Sequence, residues 1–111
     1  MYNFNLIDDE KIIQVFEKEY VRQKNKEKNT TIAITNKRIL FLDYVIDDHN
    51  EVLWIARGVD YVRYQEVYYK VNLSDIDSID FDDGYNVRLI DGTEFAFDNE
   101  ELFNLIINNM K

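Results

Sequence analysis

A mainly β domain closed by one C-terminal α-helix is what this sequence predicts, on three observations. Ile32, Ile34, Ile39 and Phe41 place apolar side chains on alternate positions, the pattern of strands with one buried face. Asp91-Gly92 stands between two apolar-alternating runs, Tyr85–Ile90 and Thr93–Phe97, and is a strong hairpin tip. After that the period changes. Leu102, Phe103, Ile106, Ile107 and Met110 fall on one face of a helix.

Taken in order, the first segment, Leu6–Arg22, reads two ways. Ile12, Ile13, Phe16 and Tyr20 lie at helical spacing, and Asp8, Asp9 and Glu10 would suit a helix N-terminus. Lys11–Val21 is also rich in good strand formers, and a strand here gives the following strands a partner. The strand is preferred. Gln23–Asn29 reads as a polar loop carrying Lys24, Lys26 and Lys28.

The stretch Thr31–Tyr44, TIAITNKRILFLDY, organises the rest. Asn36 tolerates the left-handed conformation of a tight turn, so Asn36-Lys37 is read as the tip between two strands. Ile39–Leu42 is apolar on both faces and is expected to be covered on both sides, hence central. Asp47-Asp48-His49-Asn50 is a turn cluster, and Glu51–Arg57 is a short helix or strand ended by Gly58. Val59–Leu73 is expected to be strand, with a bend near Gln65-Glu66. Ile76–Phe81 follows, with Ile76, Ile79 and Phe81 as buried candidates, and Asp82-Asp83-Gly84 turns the chain. Asp98 as N-cap with Glu101 three residues on makes a capping box for the helix.

The string ITNKRILF, and VNLSDIDSIDF at Val71–Phe81, resemble segments of the bacterial pleckstrin-homology-like (PH-like, GRAM-like) domains. The spacing to the C-terminal helix is also similar. The resemblance covers most of the chain except about residues 46–65, read as an insertion. It implies a PH-like barrel of two bent antiparallel sheets, about seven strands, capped by one helix over residues 1–111. It also implies a non-catalytic binding module that works by protein–protein contact or self-assembly, since the family includes oligomeric members. In eukaryotic relatives of the fold, the loop between the first two strands binds phosphoinositide headgroups through basic residues. The matching loop here holds Arg22, Lys24, Lys26 and Lys28, with Lys37 and Arg38 also basic, so an anionic lipid or ligand is the alternative.

Composition narrows the function further. The chain has 111 residues, enough for one domain. It has no cysteine, so thiol chemistry and a disulfide framework are excluded, and a reducing compartment fits. The start, MYNFNLIDDE, lacks the basic and apolar regions of a secretory leader, and no apolar run approaches the ~18 residues of a membrane span. A cytoplasmic protein is expected. Net charge is −9, unevenly spread. Lys18–Leu40 holds seven basic and two acidic residues, net +5; the remainder holds six basic and twenty acidic, net −14. An acidic body repels nucleic acid and anionic lipid at long range.

Catalytic signals are absent. His49 is the only histidine, in an acidic turn; with no cysteine, the usual zinc sites are excluded. Ser74 and Ser78 have no neighbouring base. The run Asp75, Asp77, Asp80, Asp82 and Asp83 fails as a calcium loop: with Gly84 as the sixth position, Ile79 and Phe81 fall at ligand positions one and three. It reads as a solvated strand edge that discourages aggregation. No cofactor and no metal are expected, and no enzyme. Trp54, Tyr61, Tyr64 and Tyr68 are the candidate protein interface, because Tyr and Trp are enriched at interface centres. A small acidic inhibitor or immunity-type protein, blocking a basic enzyme, is a further alternative.

Overall fold

The computed structural model describes residues 2–3, 5–23, 26–46 and 63–110. The described chain forms eight strands and a helix. These are β1 (Tyr2–Asn3), β2 (Ile12–Gln23), β3 (Lys26–Thr35), β4 (Arg38–Ile46), β5 (Arg63–Asn72), β6 (Ile76–Phe81), β7 (Tyr85–Leu89), β8 (Glu94–Phe97) and α1 (Glu100–Asn109). They make one sheet in the order β1-β5-β4-β3-β2-β8-β7-β6. Seven strands pair antiparallel; β1 adds two residues, parallel, to β5.

The strands form one continuous hydrogen-bonded order with β1 and β6 at its ends among the described residues, and the pairing does not close it into a barrel. The physical reason is β2. This long strand pairs with β3 along most of its length, and its last turn of ladder, Val21↔Phe97 and Arg22↔Ala96, carries β8. A bulge between Phe16 and Glu19, with Lys18 at φ 60°, bends it between the two tasks. The sheet nevertheless curls. Phe41 on β4 and Phe95 on β8 meet with ring centroids 5.2 Å apart. Three strand spacings would separate them by ~14 Å on a flat sheet.

The concave side holds the main core: Phe16, Val21, Ile32, Ile34, Phe41 and Phe97 among others, with Leu102 and Ile106 of α1 buried in the same cluster. Each such side chain contributes roughly 1.5–3 kcal/mol by leaving water. Ala33, Leu40 and Leu42 are buried on the opposite face, with Val15 and Val67 against them. β4 is therefore covered on both faces, as its unbroken apolar run predicts.

Several local expectations hold. The strand expected at Lys11–Val21 is there as Ile12–Gln23, the hairpin turns at Asn36-Lys37, and Gly92 closes the last hairpin at φ 89° with its N–H donating to the Leu89 carbonyl. Four are corrected. Gln23–Asn29 is mostly ladder rather than loop. Its polar residues pair across β2 and β3, with Arg22 opposite Glu27, and a cross-strand pair of opposite charge stabilises a solvated ladder. Phe81 is not buried but 72% exposed, because β6 is an edge and no strand lies beyond it among the described residues. The helix N-cap is Asn99, whose side chain accepts from the Leu102 N–H at 3.1 Å; Asp98 is drawn off by Arg22. The bend near Gln65-Glu66 falls instead at a bulge opposite Phe41 and Leu42.

Candidate functional site

Three surfaces compete for function: the basic residues, the groove beside Tyr68, and the β6 edge. The basic residues are not gathered. Lys26 opens β3 and Lys37 lies two residues past its other end, and the ten residues of the strand span ~30 Å. Arg38 is buried with a side chain 10% exposed, and it forks onto Glu10, which is wholly buried, at 2.8 and 2.7 Å. The fork and the Thr35 hydroxyl, 2.6 Å away, stabilise the Glu10 anion. They hold its pKa at about 2, against an ordinary 4.5, despite burial pushing it upward. The same contact raises the Arg38 pKa. Lys37 donates to the Asp8 carbonyl at 2.7 Å, and Asn36 holds both Asp9 and Lys11. The hairpin tip thus grips the chain's own acidic segment, Asp8-Asp9-Glu10.

Arg22 has a different internal task. Its guanidinium donates to both oxygens of Asp98 at 3.1 Å and to the Asp83 carbonyl at 3.1 Å. It therefore pins the β6–β7 turn and the end of β8 to β2, across the seam that only two residue pairs of ladder hold. The Asp98 hydrogen bonds raise its pKa. Gly84 belongs to this clamp. Its φ is 121°, and a Cβ there would run into the Arg22 guanidinium and the Asp98 carboxylate. Lys28 pairs with Asp43 and lies 4.1 Å over the Tyr68 ring. Lys26 is exposed, and Lys24 lies outside the described residues.

Of the aromatic candidates, Trp54 and Tyr61 lie outside the described residues, as does His49; Tyr64 is on β5, its side chain also outside them. Tyr68 is 45% exposed and lines a groove of about 580 Å³ with Arg38, Leu40, Glu66 and Lys70. Its chemistry is largely spent inside the protein. The hydroxyl donates to Thr30 at 3.0 Å, Thr30 in turn donates to the Leu42 carbonyl, and the ring face holds Lys28. Neighbouring Tyr69 is held protonated to higher pH, first by burial and then by Asp91.

The β6 edge is the contrasting surface. β6 pairs with β7 alone among the described residues. Ile79 packs on the core and Phe81 faces the same side, edge-on to Tyr85 at 5.0 Å. Tyr85 stacks on Phe103 of α1 at 4.4 Å, so the exposed ring ends an aromatic stack rooted in the helix. Ser78 and Asp80 face the other way, opposite Arg88 and Asn86. Beside them is a hollow of about 490 Å³ lined by Asp80, Asp82, Asn86, Arg88 and Glu94. Arg88 is taken up by Glu94 at 2.9 Å. Among the described residues no cation pairs with Asp77, Asp80 or Asp82.

The run of aspartates was legible in the sequence; the exposure of Phe81 beside it was not, since only the strand order shows which strand is last. Among the described residues no group of three potential ligands could hold a metal ion, and no helix is long and apolar enough to cross a membrane. No family model matches the chain, and no curated protein or solved structure matches it.

Proposed function

We propose that this chain is a non-catalytic binding module of pleckstrin-homology-like build, and that it acts in the cytoplasm by contact with another protein. One observation carries the reading. The sheet ends in a six-residue strand whose outer side has no partner among the described residues, and its aromatic, Phe81, is the most exposed large apolar side chain among them. A strand edge presents a row of backbone donors and acceptors, and an aromatic beside it adds apolar area that water does not favour. The element count supports the build: seven antiparallel strands, then one helix that buries Leu102 and Ile106 in the curl. The barrel of two bent sheets belongs to this proposal too; the bent β2 and the Phe41–Phe95 contact support it. The absence of cysteine fits a reducing setting. The anionic-ligand reading finds no such support, since Arg22, Lys28, Lys37 and Arg38 are each engaged within the chain.

The chain's lack of cysteine makes the test clean. Phe81→Cys and, as control, Asn108→Cys on the exposed side of α1 are each labelled with a benzophenone maleimide and irradiated in lysate of the source cells. Cross-linking to a distinct polypeptide at position 81 and not at 108 is expected. No product, or equal yields at both positions, overturns the reading.

A further inference from the structure

We infer that the β6 edge takes up an extended, basic segment of another protein as an added strand, and that it does not pair with a second copy of this chain. The inference rests on the protein-contact reading and names the partner's chemistry.

The edge offers two things at once. Along β6, ~20 Å of strand, the backbone groups turned away from β7 are unpaired among the described residues, save the Ile76 N–H, which donates to the Leu73 carbonyl. Its side chains are of one sign: Asp75, Asp77, Asp80, Asp82 and Asp83, with no basic residue from Asp75 to Tyr85. A strand laid against β6 inherits the alternation of β6 itself. Residues on one side meet Ile79 and Phe81; residues on the other meet Ser78 and Asp80, next to the hollow that Asp82 also lines. The matching segment therefore alternates apolar and basic residues. Both nearby arginines are already spent, Arg22 on Asp98 and Arg88 on Glu94, so Asp80 and Asp82 keep their charge for an incoming cation.

A second copy is disfavoured by the same row. Pairing two β6 edges would bring five carboxylates of each copy together, and like charges opposed across a ladder are destabilising. The chain's net charge of −9 adds long-range repulsion. The edge thus discriminates by sign, through repulsion of its own kind as much as attraction of the partner.

Three hexapeptides test this on the whole chain: alternating Lys-Val, alternating Glu-Val, and the Lys-Val peptide N-methylated on alternate residues so that one edge cannot donate hydrogen bonds. Binding is followed by amide hydrogen exchange. The Lys-Val peptide is expected to protect the amides of Ile76–Phe81 and to weaken as salt rises. N-methylation is expected to weaken it at least about tenfold, because several backbone bonds to the partner strand are lost. Asp80→Asn and Asp82→Asn, both exposed and fold-neutral, are each expected to weaken it about two- to fivefold. Equal binding of the Glu-Val peptide, protection elsewhere than β6, or indifference to N-methylation overturns the inference. A position-81 cross-link without Lys-Val binding sinks the basic strand and leaves the protein-contact reading standing. A cross-link at twice the chain's mass, with none to a distinct polypeptide, assigns the edge to a second copy and sinks both the inference and the reading of contact with another protein. No cross-link and no peptide binding sinks both.

Discussion

The two edges of the sheet are guarded by different physics. At one edge, β1 covers only Gln65 and Glu66 of β5, and the chain that follows it is bolted down. Glu10 accepts from Arg38, Thr35 and Ile7, while Arg38 also holds the Asn5 carbonyl at 2.9 Å. This guard is a buried ion pair that ties the N-terminal segment to the hairpin tip. At the other edge, β6 is three times longer than β1 and is guarded by aspartate charge alone. A bolt of chain is indifferent to what approaches. A row of charge repels strands of its own sign and admits those of the opposite sign. That difference makes β6, and not β1, the edge suited to recognition.

Breaking the bolt is expected to have the largest effect. Glu10→Ala leaves the buried Arg38 guanidinium without its counter-charge and should cost about 3–5 kcal/mol in urea-monitored unfolding. The pair also has a pH signature. The folded-state pKa of Glu10, about 2, lies below the ordinary 4.5, so its stabilisation is complete above pH 4.5 and is lost as pH falls through about 2. The stability gap between the parent chain and Glu10→Gln should therefore narrow over that window; a gap that stays constant would mean the pair contributes nothing.

The clamp that holds β6 and β7 in place comes next. Gly84→Ala forces a side chain into a φ of 121° and against Arg22 and Asp98, and should cost about 1–3 kcal/mol. Hydrogen exchange should quicken in β6–β7 before β3–β4, because the seam at β2 carries only two residue pairs. Uniform quickening would show that the two halves open together.

The smallest effect on stability, and the sharpest test of the comparison, is the combined Asp77→Asn, Asp80→Asn and Asp82→Asn variant. These exposed changes should move stability by less than about 0.5 kcal/mol. Light scattering should nevertheless show stronger self-association than in the parent chain. If association is unchanged, charge is not what guards β6.

Much of the fold was readable residue by residue. The hairpin at Asn36-Lys37, the Asp91-Gly92 turn, the turn at Gly84 and the apolar face of α1 each depend on neighbours within a few positions. Local conformational preference and periodicity decide such features. The errors share one cause. Phe81 was expected inside because its parity matches Ile79, yet parity says which side a residue faces and not whether another strand covers it. Asp98 was expected as the cap because Glu101 follows at the right interval, yet Arg22, far away in sequence, claims it and Asn99 caps instead.

The candidate surfaces show the same division. Sequence alone determined that the chain is mainly β with a terminal helix, that it has no thiol chemistry, and that its charge is segregated into basic and acidic stretches. Tertiary structure alone decided which charges remain available. Glu10 and Arg38 are 28 residues apart, and Arg22 and Asp98 are 76 apart. Such pairs cancel only when strand order brings them within hydrogen-bonding distance, because attraction between charges in water has faded over the lengths that separate them along an extended chain.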